Sequence, residues 1–242
     1  MSTPGFPPGT LDEDGYPIWL SELDVLDPNH TVHLVRDLEP REALRILGAD
    51  AEAATVRALP AERPDGWTSV LRAALGSPDC MSALLAVRIG GWTAVFDDAG
   101  STFAIGGLES LRGLLAGART GDFSALRAQD PPVMRSPAVV LSEAGGPAIT
   151  VHHNISSLIS LDYAVDGESA FATNSDDIDF LEEEPPAEVA AAIRAAGVVP
   201  DDELEEDETD PCAVARIGFA LAGAIWTTQD VRDAEPLVVA LH

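Results

Sequence analysis

The stretch that most constrains this chain is Met81–Ile105, MSALLAVRIGGWTAVFDDAGSTFAI, in which two runs of strand-forming residues meet at Gly90-Gly91. A glycine pair supplies the positive φ that a tight hairpin turn needs, and Trp92, Val95 and Phe96 cluster beyond it as aromatic and β-branched residues do in strands. A third run opens after Asp98-Ala99-Gly100, so the stretch predicts a three-stranded antiparallel meander. Such a sheet buries one face, and the rest of the chain has to supply the cover.

That cover is written in segments of helical spacing. Glu39–Gly48 has Pro40 in its first turn, Ala43, Leu44 and Leu47 on one stripe and Gly48 at the usual stop, which predicts a helix. Short helices are predicted over Pro17–Leu26, Trp67–Leu75, Leu108–Ala116 and Pro186–Ala196. Asp210-Pro211 opens a helix predicted to run through Trp226, with Val214, Ile217, Leu221 and Ile225 as its apolar stripe. Thr227-Thr228-Gln229-Asp230 reads as a capping box for a last helix, and the ending is predicted helical. Strands are predicted at Val56–Leu59, Ala138–Leu141, Ile149–His152 and Leu158–Val165, the last turning at Asp166-Gly167 into Ser169–Thr173. Thr31–Arg36 fits a strand and the start of a helix equally well. Phe123–Pro137 is a polar connection, and Trp19, Trp67, Trp92 and Trp226 read as core anchors. The predicted fold is a single α+β domain over 1–242: a mostly antiparallel sheet with helices packed on one face, a flexible N-terminal arm at 1–16, and a helical, acidic C-terminal section.

Charge narrows the partners. Asp and Glu number 41 against 14 basic residues, every one of them Arg, for a formal charge of -27. Nucleic acid and anionic membrane surfaces are repelled by such a chain and basic proteins attracted. Spread evenly over roughly 10,000 Å² of surface, the net charges would stand about 20 Å apart, beyond the Debye length of about 8 Å, so only a concentrated patch specifies a partner. Met1–Pro17 has neither a basic region nor an apolar core of a signal peptide, and no apolar run reaches the ~18 residues of a membrane span. A cytoplasmic location is expected, with Cys80 and Cys212 reduced.

The concentrated patch is in the C-terminal third. From Asp176 to Asp210, 15 residues are acidic and only Arg194 is basic. Asp201, Asp202, Glu203, Glu205, Glu206, Asp207 and Glu208 form its densest part and are the expected partner-binding residues. In an extended chain this run would carry a charge about every 4 Å, near the ~3.4 Å spacing along one strand of duplex DNA, so imitation of a phosphate backbone is an alternative use.

The segments HLVRDLEPREALRILGAD, GGWTAVFDDAG, SLDYAVDGE and VARIGFALAGAIWTTQDV, in that order, resemble an actinobacterial family of unknown function with an EALRRLG helix, a GxW hairpin, a YxxDG hairpin and a C-terminal ALA helix. The resemblance spans most of Val32–Val231; Asp97-Asp98-Ala99-Gly100 departs from the family's acidic-x-Asn-Gly turn, and Phe123–Pro147 reads as an insertion. No activity attaches to that family, so the resemblance implies a fold and no chemistry.

Catalytic signals are thin. His152-His153-Asn154, with Ser156, Ser157 and Asp162 nearby and His33 elsewhere, contains the residue types of a nucleophile, base and orienter, but adjacent histidines on a strand face opposite ways and cannot hold one metal. Gly106-Gly107 lacks a phosphate-loop pattern, and neither Asp176-Asp177-Ile178-Asp179 nor Asp201-Asp202-Glu203 has a calcium-loop pattern. No catalytic residue, metal or cofactor is predicted. The expected function is a non-enzymatic, acidic protein-binding module, immunity-like or antitoxin-like, docking a basic protein; the alternatives are an enzyme using the His152/His153 region, a nucleic-acid-mimicking inhibitor, and a surface whose acidity only solubilises.

Overall fold

A computed structural model describes residues 3–23, 29–105, 134–177, 184–198 and 210–242. In chain order its strands are β1 (His30–Arg36), β2 (Thr55–Val56), β3 (Ser82–Ile89), β4 (Trp92–Asp97), β5 (Ala148–His153), β6 (Ile159–Val165), β7 (Glu168–Asn174) and β8 (Leu237–Leu241). The described helices are α1 (Ile18–Ser21), α2 (Pro40–Ile46), α3 (Val70–Leu75), α4 (Pro137–Ala144), α5 (Ala187–Ala195), α6 (Cys212–Ala222) and α7 (Thr228–Asp233). All eight strands join one antiparallel sheet in the order β2-β8-β3-β4-β1-β5-β6-β7, so the fold is α+β. No described helix is long and apolar enough to cross a membrane.

The Gly90 turn does join β3 to β4, with φ 62° at Gly90. The expected third strand of the meander does not form. Asp97 takes the Ala99 and Thr102 backbone N–H groups on its carboxylate, which folds the chain back at Ser101–Ala104, and only Ile105 bridges to Arg135. The place beside β4 goes to β1, which pairs β4 on one side and β5 on the other and is therefore a strand at the centre of the sheet. Asp166 and Gly167 turn β6 into β7 with φ 51° and 80°, the double positive φ of a type I′ hairpin.

Two further predictions are corrected. Ala138–Leu141 is helix, not strand: Pro137 sits at the first helical position after Ser136, and Ala138 and Leu141, one turn apart, are both buried. The ending is strand, not helix: Leu237–Leu241 slots between β2 and β3, and its alternating residues serve both faces. The capping box is present, Thr227 Oγ1 accepting from the Asp230 N–H and Asp230 from the Thr227 N–H, but it opens only six residues of helix. Likewise α6 stops at Ala222, where Gly223 takes φ 61°, short of Trp226.

Alternation along the strands divides the core. Val32, Leu34, Leu85, Phe96, Ile149, Val151 and Leu161 point to the face covered by α1, α3, α5, α6 and α7. Val35, Leu84, Ala86, Val95 and Ala148 point to the other, where a smaller layer of α2 and α4 lies. The expected helical cover of one face is thus the larger of two layers. Trp19 anchors the large layer: it is 0% exposed, and its ring packs against Phe96, Phe219 and Trp226 at centroid distances of 6.4, 5.9 and 6.1 Å. Trp92 and Trp67 are only half-buried.

Residues 3–16 lie along this layer. The Gly5 N–H donates to the Ala195 carbonyl at 2.8 Å, and Phe6 and Tyr16 are buried. Arg216, buried in α6, donates to the carbonyls of Ala196 and Gly15 and to Asp210, tying the first residues, the end of α5 and the start of α6 together.

Candidate functional site

Four of the five histidines gather on the β1–β5 pair through register alone. His30 stands opposite His153, Thr31 opposite His152, and His33 opposite Thr150. Since side chains alternate, His30 and His153 emerge on the large-layer face, while Thr31, His33, Thr150 and His152 emerge on the α2/α4 face. The sequence expectation that His152 and His153 face opposite ways holds.

On the large-layer face the His30 and His153 rings meet edge to face at 5.0 Å, and Tyr16 Oη is 2.6 Å from His30 Nε2. Burial pushes the Tyr16 phenol up, with the nearby Cys212 and Asp12 adding to it, and burial lowers the pKa of His153. Tyr16, His30 and His153 thus pack together as one aromatic, polar cluster. Burial raises Cys212 to about 11, and Cys80 and Cys212 are both unpaired.

A buried chain of polar groups runs from α3, past the end of β4, to the α2/α4 face. At its origin Ser69 Oγ and Arg72 Nε donate to Asp98 Oδ2, and the Ala83 N–H donates to Asp98 Oδ1 at 2.7 Å. Ser82 lies between Asp98 and Asp97, its hydroxyl reaching both. Four donors converge on Asp97: the Ser82 hydroxyl, the Ala99 N–H, and the Thr102 N–H and Oγ1, the last two at 2.7 Å. Burial nevertheless raises its pKa, the donors opposing.

Next in the chain is His33, 0% exposed, with Thr102 Oγ1 2.9 Å from Nε2 and Thr150 Oγ1 3.0 Å from Nδ1. Burial first, and His152 second, lower its pKa to about 3, so the ring is neutral. The tautomer follows. Thr102 spends its one hydroxyl proton on Asp97, so His33 Nε2–H donates to Thr102, and Nδ1 accepts from the Thr150 hydroxyl.

Thr150 is where this chain reaches a cleft of about 600 Å³, set against the β5–β7 end of the sheet. Its floor is the alternating polar set Thr150 and His152 on β5, Ser160 and Asp162 on β6, and Asn174 on β7. Ser136 and Pro137, at the start of α4, close one side, and Phe103 covers His152 at 5.3 Å with the rings 26° from parallel. Gly100 allows that approach: a Cβ there would meet His152 Cε1 at 3.2 Å, and its φ is 65°. His152 Nδ1 is 2.9 Å from Thr31 Oγ1, and burial lowers the pKa of His152. Asp162 receives the hydroxyls of Ser136 and Ser169, and Asp177 receives the Asn174 amide at 2.5 Å.

The structure therefore separates the residues in which a catalytic constellation could be sought. His33 is sealed in the interior, His153 belongs to the other face, and Ser156 and Ser157 lie in an exposed turn organised by Asn154. Only His152 and Asp162 share the cleft. Among the described residues no serine hydroxyl bonds to His152 or His153, and no group of three or more His, Cys, Asp or Glu could hold a metal. Asp201, Asp202, Glu203, Glu205, Glu206, Asp207 and Glu208 lie outside the described residues, as do Gly106-Gly107, Leu108–Ala116, Phe123–Pro132 and Asp179. Sequence reasoning missed Tyr16, Phe103, Thr150 and Asn174. For Thr150 a signal existed in the period-two spacing of Thr150-x-His152 beside Ser160-x-Asp162.

No protein-family model, no curated protein and no solved structure matches the chain. The EALRILG, GGW, YAVDG and FALA segments fall on α2, the Gly90-Gly91 turn, the Asp166-Gly167 turn and α6.

Proposed function

We propose that the protein is a non-catalytic, acidic binding module that docks a basic protein partner, in the manner of an immunity protein or an antitoxin. The observation that carries this reading is how the positive charge is used. Of the eleven described arginines, six pair with carboxylates of the chain and four more donate to its carbonyls or a hydroxyl. Most of the scarce cations are thus engaged within the chain, Arg72 and Arg216 buried and Arg36, Arg45 and Arg135 exposed, and 41 acids against 14 basic residues leave the excess charge negative. Fields of this kind act mainly on encounter rate and on exclusion of like-charged partners.

The test begins with basic proteins encoded beside this gene. A saturable one-to-one complex should form with one of them, and its association rate should fall about tenfold or more between low and high salt. Replacing Asp201, Asp202, Glu203, Glu205, Glu206, Asp207 and Glu208 by Asn and Gln should slow association in the same direction and leave the melting temperature unchanged. Binding indifferent to both salt and these substitutions would refute the reading.

A further inference from the structure

The cleft beside α4 is unusual in what its lining does with protons. Thr150 gives its hydroxyl proton to His33, Ser136 and Ser169 give theirs to Asp162, and Asn174 gives an amide proton to Asp177. These donors are spent inside the protein, so their lone pairs remain toward the space they enclose, beside the Ser160 and Thr173 hydroxyls, which can accept as well as donate. Neither Asp162 nor Asp177 meets an arginine among the described residues; their partners are neutral. Over this acceptor-rich floor stands Phe103, 48% exposed although large and apolar, its ring held nearly parallel to that of His152. Leu158 adds an apolar wall.

We infer that this cleft is a guanidinium pocket, which takes an arginine side chain from the basic partner; the inference rests on the docking reading above. A guanidinium group has five N–H donors and no acceptor, so it matches a lining that offers acceptors. It is planar and weakly hydrated, so it can lie against the Phe103 ring while its edge reaches a carboxylate. A lysine ammonium, compact and strongly hydrated, gains less from a flat ring. A metal ion would need a cluster of ligands that the described residues do not assemble. Burial keeps His152 neutral near pH 7, so the platform does not repel the cation.

The probe is N-acetyl-arginine amide, titrated into the full chain and followed by NMR at the Phe103 ring, His152 and the Asn174 side-chain amide. Its neutral isostere, N-acetyl-citrulline amide, the lysine analogue and Ca²⁺ are run alongside. The arginine compound should give saturable shifts confined to these residues, and citrulline should bind about tenfold or more weakly. Phe103→Ala and Asp177→Asn, both at exposed positions and so harmless to folding, should each weaken arginine binding about fivefold or more, with the melting temperature held. Equal binding of citrulline, shifts outside the cleft, or a response to Ca²⁺ in place of arginine would overturn the pocket. Failure here is separable from failure of the docking reading. A basic partner that binds Phe103→Ala and wild type equally, in a salt-dependent way, removes the pocket alone; absence of any basic partner removes the docking reading, and the arginine titration still decides the pocket.

Discussion

Lowering the pH should destabilise this protein through His33, and the size of the effect can be worked out. In the folded state the ring is sealed between Thr102 and Thr150 and does not protonate until about pH 3, whereas in the unfolded chain it does so near 6.5. Between those values the unfolded state binds a proton that the folded state refuses, so stability falls as pH falls, at up to about 1.4 kcal/mol per pH unit. From pH 7 to pH 5 that comes to about 2 kcal/mol from His33. The control is His33→Gln, whose amide can donate and accept in the same positions without titrating. Urea unfolding of both proteins at pH 7 and pH 5 should show wild type losing about 2 kcal/mol more than the variant, whatever the variant's stability at pH 7. Asp97 works in the opposite sense, since a raised carboxyl pKa adds stability at low pH that is lost as pH rises through the folded value, and His152 and His153 work in the same sense as His33. All three are present in both proteins, so the difference isolates His33 to first order. Equal pH slopes would show that His33 is not held neutral, and the argument that Thr150 turns its proton away from the cleft would fall with it.

Trp19→Ala should cost about 3–5 kcal/mol by chemical denaturation, and Trp92→Ala less than half as much, because only Trp19 is fully buried. Trp19→Phe should stay within about 1 kcal/mol of wild type: the indole Nε1 is buried with no partner among the described residues, and removing such a donor recovers about 1–3 kcal/mol against the volume lost. Gly218→Ala should lower the melting temperature, since a Cβ there would fall 2.7 Å from Val151 Cγ2 and 3.1 Å from Leu161 Cδ1. Overpacking of about 1–3 kcal/mol outweighs the roughly 1 kcal/mol that alanine gains over glycine in a helix.

Where a local device decides the backbone, the sequence was enough. Pro40 and Gly48 bound α2, Asp166-Gly167 sets the β6–β7 turn, and Thr227 with Asp230 starts α7, each through hydrogen bonds or φ angles set within a few residues. The antiparallel α+β class followed from these turns and from the alternation of β5 and β6. Short apolar runs were different. The apolar runs AVVL (Ala138–Leu141) and LVVAL (Leu237–Leu241) are alike in composition and too short for their period to separate helix from strand, so the space available decides: α4 packs across β1, β5, β6 and β7, while β8 fills a slot between two strands. The same holds for the candidate site. The sequence named His152 and Asp162 and the two directions of the histidine pair, because adjacent strand residues must diverge. It could not bring Phe103 onto His152, seal His33 beneath Thr150 or place Asn174 opposite Ser160 in one cleft. Those neighbours come from strand register and from where α4 begins, which contacts between residues distant in the chain settle.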